Sequence, residues 1–277
     1  MLPWRPDAKS IDNLSNMRRF MPYISPRRND SLFYMTQEIG VDAALEFLEK
    51  RNRERPENRP FTLFHLYLRA CAQALATRPG MNRFVKGGKL WQRDGEFLTF
   101  SAKREIVDGS PLITIKRRFD ATLESLEEMV DSIYDKLEFG RKGGKTTSDK
   151  EMNLLVRLPG PAIGVALAFA RLADRFGVLP RSMIEADPLF TSMFIANLGS
   201  IDYPAGYHHL WEYGTASIFS VMGRIESKPD GRRFMKVAYS YDERIEDGLY
   251  SQITLASLAE RLENPELLLT QFERVAP

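Results

Sequence analysis

The most informative stretch of the chain reads Ser240-Tyr241-Asp242-Glu243-Arg244-Ile245-Glu246-Asp247-Gly248. It follows an alternating apolar segment, 235–241, that predicts a strand, and it precedes a C-terminal segment that predicts a helix. Its composition alone is typical of a polar strand-to-helix connection, in which an arginine pairs with a neighbouring acid and Asp-Gly closes a turn. The order of its residues, and the segments on either side, carry more specific information.

The segments upstream of this stretch predict strands and helices without a strict alternation. The predicted strands cover residues 32–39, 90–92, 97–100, 112–116, 191–198, 216–221 and 235–241, and the predicted helices cover 42–53, 62–77, 123–139, 162–176 and a region from about 255 onward. Asp94-Gly95 separates two of the strands and predicts a β-hairpin, because such a turn needs positive φ. The mixture predicts an α/β two-layer sandwich with a mixed sheet and flanking helices.

The domain organisation follows from the absence of repeats and linker-like segments in the sequence. Residues 1–30 are rich in proline and arginine without a clear period, which predicts an N-terminal arm or a packed lead-in. We expect one domain over residues 31–277, because a chain of 277 residues is long enough for one large core.

Composition excludes several functional classes. The 39 basic and 37 acidic residues give a net charge of only +2. The protein as a whole therefore has no strong positive electrostatic field to attract nucleic acid or an anionic membrane, and we expect neither as a partner. One cysteine excludes a disulfide framework and a cysteine-rich zinc site, and with no recognisable signal peptide it favours the cytoplasm. The three histidines are His65, His208 and His209, and no spaced third ligand accompanies the adjacent pair, so we expect no metal site.

Four segments together resemble the catalytic domain of the 2-oxo acid dehydrogenase acyltransferases, which belong to the chloramphenicol acetyltransferase-like superfamily. The family motif is Asp-His-Arg-x-x-Asp-Gly, and Asp242, Arg244, Asp247 and Gly248 match it, whereas Glu243 stands where the family has its catalytic histidine. Residues 194–199, 213–225 and 70–82 are similar to the family's Ser-Asn-Leu-Gly strand end, its following strand, and its alanine-rich helix with Pro-x-x-Asn. The resemblance runs from about residue 18 to the end.

This resemblance implies a chloramphenicol-acetyltransferase-like fold and a homotrimer, with active sites between subunits and, in some members, a larger cage. It implies coenzyme A, bound as an acyl-CoA substrate, and an acyl acceptor that enters from the opposite end of a channel. The matching region begins near the N-terminus, so we expect no lipoyl or subunit-binding domain and no lipoyl attachment site in this chain. A lipoyl carrier would then belong to another chain.

Acyl transfer between thiols requires a base for the thiol proton and a donor for the oxyanion of the tetrahedral intermediate. The resemblance implies Glu243 as the base, or His208 or His209 as a displaced base from the loop before the next strand. It implies that Asp247 holds the catalytic loop through an arginine, for which Arg27, Arg28 and Arg244 are candidates. Coenzyme A contacts are expected from Asn197, Gly199, Arg244 and Gly248.

Two changes at the motif positions leave three readings open. Glu243 replaces the histidine, and Ala196, which has no hydroxyl, stands where the family has its serine. The first reading is an acyltransferase with an altered site, and the second is a catalytically inactive homologue that serves as a trimeric structural or assembly protein. The third is an enzyme that acetylates a drug or metabolite.

Overall fold

The computed structural model describes residues 5–105, 107–120, 122–144, 146, 152–270 and 275. The strands include β1 (Ala8–Ser10), β2 (Leu32–Gly40), β3 (Arg83–Lys86), β4 (Lys89–Arg93), β5 (Glu96–Lys103), β6 (Leu112–Phe119), β7 (Met193–Asn197), β8 (Ile218–Ser227) and β9 (Arg233–Asp242). The helices include α1 (Asn16–Ile24), α2 (Asp42–Asn52), α3 (Leu63–Thr77), α4 (Leu126–Arg141), α5 (Gly160–Arg175), α6 (Arg181–Ala186) and α7 (Gly248–Glu263).

Six strands form the main sheet in the order β2-β9-β8-β7-β5-β6, and three form a smaller sheet in the order β1-β4-β3. Strand β7 runs parallel to β5 and β8, whereas the other neighbours in the main sheet are antiparallel. The mixed sheet with flanking helices confirms the predicted α/β sandwich.

Helix α3 is the centre of the helical layer. Thr62 caps it as predicted, because its side-chain oxygen accepts a hydrogen bond from the backbone N–H of His65. Every residue from 65 to 76 is buried, since α3 lies between the main sheet and α7. Apolar side chains of α3, α4, α7 and the sheet form one continuous core on this side.

The opposite face of the main sheet is covered by an irregular segment, residues 198–216, which we call the cover loop. Under it lies a second, smaller apolar cluster made of Phe194, Leu210, Phe219, Val221 and Ala238. The cover loop therefore lies over β7, β8 and β9, and β9 ends at the motif.

The predicted hairpin at Asp94-Gly95 is wrong, although strands occur on both sides of it. Strand β4 pairs with β1 and β3, whereas β5 pairs with β6 and β7, so the two segments belong to different sheets. Gly95 does adopt positive φ, at 94°. The turn chemistry was correctly interpreted, but the partner of each strand depends on contacts that lie far away in sequence. The turn between β3 and β4 is Gly87-Gly88, where both residues have positive φ.

Two terminal regions carry more structure than their sequence patterns indicate. Within the lead-in, β1 pairs with β4, and Ser15 caps α1 by accepting a hydrogen bond from the backbone N–H of Arg18. Helix α7 begins at Gly248, seven residues before the predicted start near Leu255. Its first turn immediately follows the motif, because Asp247 is its N-cap.

Candidate functional site

A buried ion pair stabilises the loop that carries the motif, residues 242–248, which we call the motif loop. The Asp242 carboxylate is fully buried and accepts hydrogen bonds from Nε and Nη2 of Arg244, each at 2.7 Å. The Nε atom of Arg28 lies 3.9 Å from the same carboxylate. The Asp242 carboxylate offsets part of the cost of burying the two guanidinium groups, which repel each other, so this geometry depends on all three residues. Burial lowers the pKa of Arg28, although Asp242 and Glu212 act in the opposite direction.

Glu243 lies on the surface of this loop, one residue beyond the end of β9. Its backbone N–H donates to the carbonyl oxygen of Ser31 at 2.9 Å, and its own carbonyl oxygen accepts from Nη1 of Arg18 at 3.0 Å. Its side chain is exposed. No described residue makes a hydrogen bond or ion pair with its carboxylate. The backbone at Glu243 is therefore fixed from both sides, whereas the carboxylate is free to meet a ligand.

Asp247 acts as a helix cap at the end of the loop. Its Oδ1 accepts a hydrogen bond from the backbone N–H of Tyr250 at 2.9 Å, and its side chain is 65% exposed. Its cationic neighbour is Arg18, with Nη2 at 3.8 Å from Oδ2. The structure therefore places none of the three arginines suggested by sequence beside Asp247. Gly248 is the first residue of α7, and a β-carbon added there would meet no atom within 4 Å, so the backbone at this position does not require glycine.

Arg18 is a loop-anchoring residue that sequence reasoning missed. Its guanidinium donates to the carbonyl oxygens of Glu243 and Arg244, at 3.0 and 3.2 Å, and lies 3.3 Å from the carboxylate of Glu246. Arg83 pairs with the other oxygen of Glu246. Because these partners are more than 160 positions away from the arginines, local sequence patterns contain no sign of the contact.

Asn197 and Gly199 lie at a different end of the sheet from Glu243. Asn197 pairs with Met222, which pairs with Val237, five residues before Asp242. The Oδ1 atom of Asn197 accepts from the backbone N–H of Ser200 at 3.2 Å. A β-carbon on Gly199 would lie 2.4 Å from a backbone carbonyl oxygen of β8, so close chain packing requires glycine there. Within one chain, the two halves of the candidate site are not brought together.

The cover loop places His208 and His209 over the apolar cluster. The two imidazoles stack with centroids 4.4 Å apart, and His208 also stacks on Phe219 at 4.1 Å. The Nδ1 atom of His208 lies 2.7 Å from the carbonyl oxygen of His209, which fixes its tautomer with the proton on Nδ1. His208 is half-buried and His209 is exposed. This packing ties His208 to the loop itself, whereas the ring of His209 faces outward.

Residues 25–31 connect the motif loop with the cover loop. Ser25 accepts from Nη1 of Arg244 at 2.7 Å, and Ser31 accepts from the N–H of Glu243. On the other side, Arg28 donates to the carbonyl oxygens of Trp211 and Gly214. The Glu212 carboxylate accepts the backbone N–H groups of residues 28 and 29, and these bonds lower its pKa despite the opposing effect of burial. The two loops are thus held in one local framework.

A cleft of about 440 Å³ opens beside this framework. It lies between α1, the turn after β3 and the last two turns of α5. Its charged lining consists of Arg28, Lys86, Arg171, Arg175, Glu212 and Arg244. Because Arg244 and Arg28 also hold Asp242, the cleft shares two side chains with the foundation of the motif loop.

The described residues contain no group of three or more His, Cys, Asp or Glu side chains placed to hold a metal ion. Of the helices that the structure describes, none has the length and apolar character needed to span a bilayer.

Solved structures show where this architecture occurs. The chain aligns with a dihydrolipoamide acetyltransferase from Azotobacter vinelandii at 16% identity and a TM-score of 0.61, over 95% of each chain. It aligns with a truncated catalytic core of the 2-oxoacid dehydrogenase multienzyme complex from Thermoplasma acidophilum at 16% identity and a TM-score of 0.60, over 93% of this chain and 99% of the other. A probable dihydrolipoamide acetyltransferase from Listeria monocytogenes gives 15% identity and a TM-score of 0.57, over 92% and 95%.

A chloramphenicol acetyltransferase also aligns, at 14% identity and a TM-score of 0.52, over 95% of this chain and all of the other. The chain therefore has the chloramphenicol-acetyltransferase-like fold of acyltransferase catalytic cores, as the sequence resemblance implied. Neither the protein-family models nor the curated proteins compared with it contain a match.

Proposed function

We propose that this protein is a CoA-dependent acyltransferase that transfers an acyl group between coenzyme A and a thiol or another small acceptor. The observation that carries the proposal is the position of Glu243, which has an exposed carboxylate and lies at the end of β9. Ser31 and Arg18 hold the backbone of Glu243 by hydrogen bonds. A group fixed in this way is available to a substrate without reorganisation of the loop. The acyltransferase fold provides the reaction class, and Glu243 provides a base in the position of the motif histidine.

In the proposed reaction, Glu243 accepts the proton of the acceptor thiol. The resulting thiolate attacks the carbonyl carbon of acyl-CoA, and a carbon–sulfur bond forms while the carbonyl oxygen becomes an oxyanion. The intermediate then collapses, the bond between the acyl carbon and the CoA sulfur breaks, and the proton passes from Glu243 to the departing thiolate. Exclusion of water by a substrate-filled channel would strengthen Glu243 as a base, because desolvation disfavours a carboxylate.

Asn197 is our candidate for oxyanion stabilisation, since Ala196 has no hydroxyl to donate. Its Oδ1 accepts the N–H of Ser200, and its amide nitrogen makes no hydrogen bond to a described residue. An amide N–H directed at the developing oxyanion lowers the barrier, and removal of one such donor typically costs about 100- to 1,000-fold in rate. Gly199 supports this position by close packing, and Gly248 contributes at the motif end of the acyl-CoA site. Arg244, whose guanidinium is held by Asp242 and by the carbonyl oxygen of Ser25, positions the loop there.

We propose a homotrimer with each site shared between two protomers, because one chain places Asn197 and Glu243 at different ends of the sheet. The exposed His209, with His208 beside it, then lies on the face that would meet a neighbouring protomer and is a second candidate base. The cubic core of a pyruvate dehydrogenase complex has the same fold, which makes a larger cage a further possibility to test. A lipoyl group would be supplied by another chain. We place the protein in the cytoplasm, where its buried Cys71 thiol stays reduced.

The test is acyl transfer from acetyl-CoA to dihydrolipoamide and to small thiols, followed by mass spectrometry of the product thioester. We expect Glu243→Gln to lower kcat by about 100-fold or more, because it removes the general base. Glu46→Gln is a matched control, since Glu46 is an exposed glutamate on α2. An unchanged rate in Glu243→Gln, and also in His209→Ala, would exclude the mechanism.

The alternative is a catalytically inactive trimer with a structural or assembly role. It is favoured by one observation, that no described side chain orients the Glu243 carboxylate. This alternative predicts a stable trimer without transfer to any thiol or small-molecule acceptor, and no activity in Glu243→His. Turnover by the natural sequence would exclude it.

A further inference from the structure

The cleft beside the motif loop carries an imbalance of charge. Five of the side chains that line it are cationic and one is acidic. Asp242 lies behind Arg28 and Arg244, and Asp174 lies 2.6 Å from Nζ of Lys86. Three of the five cations are therefore paired at the base of the cleft.

Arg171 and Arg175 are the two cations that remain. They are four residues apart on α5, so they project from the same side of the helix. No carboxylate of a described residue lies within 4.0 Å of either guanidinium. Glu212, the acid of the cleft, is engaged by the backbone N–H groups of residues 28 and 29. Two like charges at this spacing repel each other, and an oxyanion between them would relieve the repulsion.

A buried donor at the base of the cleft also lacks a hydrogen-bond acceptor. The Nε atom of Arg28 is buried, makes no hydrogen bond and lies 3.9 Å from Oδ2 of Asp242, whereas the rest of its guanidinium is bonded to the cover loop. The walls include Pro22, Tyr23 and Pro26, which provide apolar surface next to the cations. A volume of about 440 Å³ is in the range of small-molecule sites.

We infer that this cleft binds the phosphate or carboxylate group of an anionic ligand, and that this ligand is the acyl acceptor. Arg171 and Arg175 bind the oxyanion at the mouth, and the side chains shared with the motif loop direct the rest of the ligand toward Glu243. The binding of an anion stands on the cleft alone, whereas the assignment of the ligand as acceptor rests on the proposed acyl transfer.

Binding of an anion is tested first, with inorganic phosphate as the probe. Thermal unfolding of the full chain is followed in sodium phosphate and in sodium chloride at equal ionic strength. We expect phosphate to raise Tm in the natural sequence and in Arg157→Gln, an exposed arginine outside the cleft, and the Arg171→Gln/Arg175→Gln double variant to lose this rise. Both substituted arginines are exposed and unpaired, so the variant keeps its fold. Equal Tm shifts in all three proteins, or none in the natural sequence, would overturn the inference.

The acceptor role is tested with two thiols of similar size, 3-mercaptopropionate and 2-mercaptoethanol. We expect the double variant to lower kcat/KM at least tenfold for the anionic thiol and to leave the neutral thiol and the KM for acetyl-CoA unchanged, because only the anionic thiol loses charge-assisted hydrogen bonds. A rise in the KM for acetyl-CoA instead would assign the cleft to coenzyme A and refute the acceptor role. If neither thiol is acylated by the natural sequence, the proposed function fails, and with it the acceptor role, while the phosphate measurement still decides on the anion site.

Discussion

Two inactive variants are expected to restore each other's activity when they are combined in one oligomer. The variants are Glu243→Ala, which removes the proposed base, and Asn197→Asp, which keeps the oxygen bonded to Ser200 but replaces the amide nitrogen. Each alone should lose acyl transfer. The prediction follows from the separation of the two residues in the main sheet.

The register gives the size of that separation. Val237 is opposite Met222 and Asn197 in the neighbouring strands, and Asp242 lies five residues further along β9. Five residues of antiparallel strand span about 17 Å, and two strand spacings add roughly 10 Å sideways. Side chains that extend only a few ångströms cannot bridge about 20 Å to act on one carbonyl group, so the proposed mechanism requires that the two residues come from different protomers.

The shared site also determines what fraction of the sites should be intact when the two variants are combined. In a random equal mixture, a site formed between neighbouring protomers receives an intact Glu243 from one and an intact Asn197 from the other in about one case in four. In isolated trimers that contain both chains the fraction rises to about one site in three, because the inactive parental trimers are removed. The two chains are co-expressed with different affinity tags, mixed oligomers are isolated by sequential purification, and thioester formation is measured. Separately purified variants mixed without subunit exchange serve as the control. Activity of the mixed oligomers equal to the mean of the two parents would refute the shared site.

Three further predictions concern stability, each measured by urea denaturation. Asp242→Asn leaves two buried guanidinium groups without their carboxylate and should lower the free energy of unfolding by about 3–5 kcal/mol. Asp230→Asn, which breaks an exposed pair, is the control and should leave the free energy of unfolding nearly unchanged. Burial lowers the pKa of His65 to about 4. Because this pKa is below the value of about 6.5 in the unfolded chain, the neutral His65 side chain makes its full contribution to the free energy of unfolding above pH 6.5. That contribution falls by about 3 kcal/mol as the pH drops to 4. His65→Gln should remove this part of the pH dependence, and identical pH profiles of stability in the two proteins would contradict the prediction. Gly199→Ala should cost about 1–3 kcal/mol through the close carbonyl contact, while Gly164→Ala, with open space, should cost nothing.

Much of the fold could be predicted from local patterns. Thr62 as the cap of α3 and the two strands on either side of the turn at 228–231 follow from residue preferences that act over a few positions. The predicted hairpin at Asp94-Gly95 is wrong because the pairing of β4 and β5 depends on strands that are distant in the sequence. A turn sequence specifies the direction of the chain locally, but it does not specify which strands pair afterwards.

The candidate site, too, could be predicted only in part from the sequence. The order of Asp242, Glu243 and Asp247 in the sequence was sufficient to locate the loop at a strand end and a helix start. Arg28 and Arg244 were among the candidates for holding this loop, but they contact Asp242 and not Asp247. Arg18 was missed, because it reaches the loop across more than 200 positions. Arg244 was one of three candidate partners of Asp247, but it pairs with Asp242, which is more deeply buried.

Helix α5 has a consequence for local stability. All its residues are described, and Asp174, which pairs with Arg5 and Lys86, is the one that is buried. Val165 and Phe169 are more than 70% exposed, so the helix gains little from apolar burial within its own chain. Its backbone amides should exchange with solvent through a local opening at far lower free energy than those of α3. Since Arg171 and Arg175 belong to this helix, any anion that they hold would order it, and hydrogen exchange in α5 would report occupancy of the cleft.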